Sequence, residues 1–118
     1  MKHELHIIET DGTVLTMSLT IPPTFDDIRQ HVSCETLEHV SVLFKGQEAH
    51  LYVDETGSWK DLPINHRASR IYANVWLRRC GRATYDDLTV APSKGIVFTG
   101  ERPLLICGRA VLWCGRRI

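Results

Sequence analysis

Nowhere in the 118 residues do about eighteen apolar side chains follow one another, so the chain offers no candidate membrane-spanning helix. An excess of either charge is also missing. Fourteen Lys and Arg balance fourteen Asp and Glu, which argues against nucleic-acid binding driven by overall charge and leaves copies of the chain without mutual repulsion. The opening MKHELHII turns polar at once and has no signal-peptide core. The protein is therefore expected in the cytoplasm, with Cys34, Cys80, Cys107 and Cys114 reduced. Zinc-knuckle spacing is absent too: the closest cysteines, Cys107 and Cys114, have six residues between them. His3 and His6 fall on opposite faces of a regular strand and cannot chelate together. No G-x-S-x-G, H-E-x-x-H or Walker-type glycine loop occurs. His66 and Cys80, imaginable as a base and a thiol, would stand at opposite ends of one helix, roughly 20 Å apart at about 1.5 Å per residue. These gaps together predict no catalytic residues, no metal and no cofactor. No period of 20 to 50 residues recurs, which excludes a repeat architecture.

What is present is a globular composition, with 43% hydrophobic and 24% charged residues. Those values lie far from a disordered chain, and the length suits a single domain, residues 1–118, able to hold a core without staples. Residues 3–9 and 13–20 flank Asp11-Gly12, a strong hairpin signal between apolar runs. Leu15, Met17 and Leu19 alternate with Val14, Thr16 and Ser18, which places one face on a core. Pro22 and Pro23 stop the strand, and Thr24 is a fair N-cap. Asp26 and Asp27 sit in the first turn, where the helix dipole favours anions. Phe25, Ile28 and Val32 then line one face of a short helix over 25–33. A second strand pair follows, with Val40, Val42 and Phe44 alternating with Ser41, Leu43 and Lys45. Gly46 turns the chain into a strand over 49–54.

Residues 54–64 have no apolar period and read as a loop, with Pro63 stiffening its end and Asn65 capping the helix that follows. Ala68, Ile71, Tyr72, Val75 and Trp76 form its apolar stripe; Arg67, Arg70, Asn74, Arg78 and Arg79 are expected to stay wet, and Gly81 is placed to end it. Beyond it lie a Gly- and Pro-rich connection with a short strand signal at GIVFT. The chain closes on two apolar runs, Leu104–Cys107 and Ala110–Trp113, bent at Gly108. The fold expected is α+β: an antiparallel or mixed sheet of five to six strands with two helices, the longer at about 65–79.

Two surfaces qualify for binding. The first is the polar loop 54–67, carrying Glu55, Trp59, Lys60 and Arg67, since a loop held between a strand end and a helix N-terminus is a common place for recognition. The second is the arginine face of the helix, Arg67, Arg70 and Arg78, which suits an anionic partner or nucleic acid.

Val53, Asp54, Glu55, Gly57, Lys60, Leu62, Pro63, Asn65, Arg67 and Ala68, with Ile106, Gly108, Ala110 and Val111 near the end, form a pattern over about residues 39–118. It resembles a domain-of-unknown-function family of phage and plasmid proteins. The N-terminal hairpin and helix are also similar to the opening of β-grasp domains. The family resemblance implies no catalytic residue. It implies a small non-enzymatic protein-binding module on a mobile genetic element, with a host or viral protein as partner, as in an inhibitor of a bacterial defence complex. A nucleic-acid accessory role through the arginine face is the alternative, and a homodimer is compatible with the absence of net charge.

Overall fold

The computed structural model describes residues 2–57, 60–79 and 106–118, with residues 73–79 as backbone alone. The described chain runs β1 (His3–Ile8), β2 (Val14–Leu19), α1 (Phe25–Val32), β3 (Leu37–Phe44), β4 (Gln47–Asp54), α2 (His66–Arg79) and β5 (Ala110–Trp113). The architecture is α+β. One sheet of five strands has the order β2-β1-β5-β4-β3, and every ladder in it is antiparallel. The count is the lower of the two expected, and α2 starts one residue after Asn65. The strand expected at GIVFT and the stop at Gly81 lie outside the described residues.

Both hairpins follow from their turn chemistry. Between β1 and β2, the Gly12 amide donates to the Glu9 carbonyl, and the Asp11 carboxylate accepts from the Thr13 amide at 2.9 Å and its hydroxyl at 2.7 Å. Between β3 and β4 the chain reverses in two residues, Lys45 and Gly46, at φ 51° and 77°. Both angles are left-handed, as the twist of a two-residue hairpin requires, which is why a glycine stands at 46. Thr24 and Asp27 make the reciprocal capping box that starts α1.

The sheet is covered on both faces. On one, Ile28 and Val32 of α1 pack with Leu5, Ile7, Tyr52, Val111 and Trp113. On the other, Ala68 and Ile71 of α2 pack with Ile8, Val42, Phe44, Leu51, Val53, Ala110 and Leu112. Alternation along β1, β4 and β5 therefore divides one run of side chains between two cores. Neighbours such as Leu51 and Tyr52, or Val111 and Leu112, are equally buried but belong to different ones.

Two expectations need correction here. Phe25 does not share the buried face of α1: it is 48% exposed, because as the first helical residue it precedes the turn that meets the sheet. Arg70 is not on a wet face. It is 3% exposed, since the first half of α2 buries more of its circumference than one apolar stripe, with Ala68, Arg70 and Ile71 all buried and only His66 exposed between 66 and 72.

Candidate functional site: a bare sheet edge

The polar loop after β4 is built inward. Burial pushes the Asp54 carboxyl up, but hydrogen bonds from Lys60 and Thr56 outweigh this and hold it below the usual carboxylate range. The Thr56 amide reaches one carboxylate oxygen at 2.9 Å and the Lys60 ammonium the other at 3.0 Å. Gly57 is pressed against the last segment of the chain, where a Cβ would lie 2.6 Å from the Cys107 carbonyl oxygen. Asn65 completes the junction. Its side-chain oxygen accepts from the Ala68 amide at 3.0 Å, as an N-cap does. Its side-chain amide donates to the Ile8 and Gly108 carbonyls, both at 2.9 Å, and its backbone amide donates to Ile106 at 2.7 Å. One fully buried residue thus ties the start of α2 to the end of β1 and to the approach to β5.

The residues expected to bind are not gathered by this geometry. Glu55 is exposed, and Lys60 is half-exposed but turned to Asp54. Arg67 is partly buried, with its Nε and Nη1 lacking hydrogen-bond partners among the described residues. Arg70 is buried, which removes one cation from the arginine face. Trp59 and the side chain of Arg78 lie outside the described residues. A shallow cleft of about 520 Å³ beside the loop is lined by Arg29, Gln30, Ser33, Cys34, Glu35 and Lys60. Both of its cations already have carboxylate partners, Asp26 for Arg29 and Asp54 for Lys60.

A histidine pair escaped the sequence reading. His39 and His50 lie on one face of neighbouring strands, and their rings share a hydrogen bond, Nε2 to Nδ1, of 2.9 Å. Burial lowers the pKa of both, and the cation of Arg117 lowers them further. The pair is thus neutral at pH 7, and its diagonal spacing across β3 and β4 could be found only once the register was known. The described thiols are poor nucleophiles. Burial raises the pKa of Cys34 and Cys107, and pushes Cys114 up to about 11. Among the described residues no group of three His, Cys, Asp or Glu side chains is placed to hold a metal ion.

The sheet ends in two edge strands, and of these β3 carries the charged Glu38, which leaves β2 as the uncharged edge. Its inner side pairs with β1 through six residues, from His3 opposite Leu19 to Ile8 opposite Val14, and among the described residues nothing pairs with its outer side. Charged or proline residues usually blunt such an edge. Here no charged residue occurs from Gly12 to Phe25, and the prolines come only after the strand has ended. Leu15 is 60% exposed on this edge, and just beyond it Ile21 is 79% exposed.

No family model, no curated protein and no solved structure matches the chain. Among the described residues no helix is long and apolar enough to cross a membrane.

Proposed function

We propose that the protein is a non-enzymatic protein-binding module whose contact element is the outer edge of β2. The observation that supports it is an uncharged edge strand, unpaired on its outer side among the described residues and carrying a largely exposed leucine. Such an edge offers a partner strand a ready ladder of backbone donors and acceptors, with Leu15 beside it for side-chain recognition. The partner proposed is a host or viral protein, and the setting a mobile genetic element, in keeping with the family resemblance of residues 53–68 and 106–111. Inhibition of a host defence complex is the form of activity that fits a small binder without a reactive cluster among the described residues. Capture of a partner from host lysate by the parent, and loss of that capture by Leu15→Lys with the melting temperature unchanged, is the expected outcome. Equal capture by both proteins would remove β2 from the proposal. Binding to random nucleic acid that survives moderate salt would instead favour a phosphate-reading role, because such contacts weaken steeply as counterions are added.

A further inference from the structure

We infer that in the free protein the β2 edge is taken by the β2 edge of a second copy, which pairs antiparallel across a twofold axis normal to the sheet and must be displaced by any other partner. This rests on β2 being a strand-accepting edge, and it assigns that edge a resting occupant.

The argument is one of self-complementarity. A twofold axis normal to the sheet keeps each face of one copy on the same side as that face of the other, so residues that meet must share a face. On the α1 face β2 presents Leu15, Met17 and Leu19, which stand opposite Ile7, Leu5 and His3 of β1. An axis through Met17 sets Leu15 beside Leu19 of the second copy; an axis through Thr16 sets it beside Met17. Either register covers the exposed leucine with an apolar side chain and adds a ladder without burying a charge. The opposite face then matches Thr16 with Ser18, or Val14 with Ser18, and neither pairing introduces a clash of charge.

Electrostatics act in the same direction. The chain as a whole has zero formal charge, so approach of two copies meets no net repulsion. Antiparallel pairing also brings the turn of one copy, with exposed Asp11, alongside the strand end of the other, where Lys2 precedes β1. Opposite charges then lie two strand spacings apart laterally and one to three residues apart along the strands, roughly 10–14 Å in all. The product is one continuous sheet with five strands from each copy. A six-residue strand pair alone buries far less than the roughly 1,200 Å² of a standard stable interface. The dimer is therefore weak and reversible, which is what leaves the edge open to a competing strand.

Sedimentation equilibrium over a wide concentration range tests this. The mass of the parent is expected to rise from 13.4 kDa toward twice that value, while Leu15→Lys, altered at an exposed position, stays monomeric and melts with the parent at a dilution where both are monomers. A synthetic peptide of residues 13–20 serves as a strand probe and is expected to shift the parent toward monomer. A parent that stays monomeric at hundreds of micromolar overturns the inference, as does a dimer unaffected by Leu15→Lys. If that monomeric parent still binds the peptide, and Leu15→Lys does not, the inference fails while the reading of β2 as a strand-accepting edge survives. If it binds none, both fail.

Discussion

The junction at Asn65 and the edge at β2 treat backbone polar groups in opposite ways. At the junction, carbonyls of Ile8, Ile106 and Gly108 from two distant parts of the chain are all bonded to one buried residue. At the edge, the backbone groups of the alternate residues Val14, Thr16 and Ser18 point outward and find no partner strand among the described residues. The first arrangement gives stability and leaves nothing to offer; the second adds little to stability and can be joined from outside. The polar sequence 54–67 looks more like a site than the bland run from Gly12 to Phe25, yet Asp54, Thr56, Lys60 and Asn65 spend their polar groups within the molecule. Polar side chains are informative about binding only when their hydrogen-bonding capacity is not already used within the molecule.

The largest effect that would sharpen this contrast is at Asn65. A cap alone is worth about 1 kcal/mol, but removing this side chain also strands two buried carbonyls. Asn65→Ala should therefore cost about 2–4 kcal/mol in urea unfolding. Asn65→Asp, which keeps the cap acceptor and loses both donors, should do no better. A loss of only the cap value would mean that the carbonyls find other partners. Next comes Gly57→Ala, which forces a Cβ to 2.6 Å from the Cys107 carbonyl oxygen. Backbone must shift to relieve it, at about 1–3 kcal/mol, and a melting temperature equal to the parent's would show the loop to be looser than its contacts imply.

A smaller effect tests the sheet beside the junction. His6, His39 and His50 all have folded-state pKa values lowered from 6.5, first of all by burial. The unfolded chain therefore binds protons more readily, so their contribution is fully present above pH 6.5 and is lost as pH falls through the lower folded values. Unfolding free energy should decline from pH 7 to pH 5, and His39→Gln should flatten the decline. An unchanged slope would mean the ring pair is not what resists protonation. Smallest of all, Leu15→Lys should move stability by less than about 0.5 kcal/mol, since the position is exposed. A larger loss would place Leu15 in the core and break the comparison from the other side.

How much of this was legible in the sequence differs by element. The two hairpins, the Thr24 cap and the Asn65 cap were readable, because each is specified by side chains within a few residues of the backbone they bond. The alternation of Val42 and Phe44 marked a core face for the same local reason. Phe25 was misplaced because helical periodicity says which residues share a face and not where along the helix the contact begins. Arg70 was misplaced because composition assigns arginine to water unless the surroundings are known.

By itself, then, the sequence determined the local grammar: strand pairs, turns, caps, an α+β composition and a chain without net charge. Only the tertiary structure decided that β2 lies at one edge of the sheet and β3 at the other. Insertion of β5 between β1 and β4, from some sixty positions along the chain, leaves β2 outermost. Pairing order depends on long-range contacts that no local pattern encodes. The same is true of the bond from Asn65 to Ile8, across 57 residues, and of the meeting of His39 with His50. Local rules act through the chain's own covalent neighbours; partners that meet across the sheet become neighbours only when the whole core has closed.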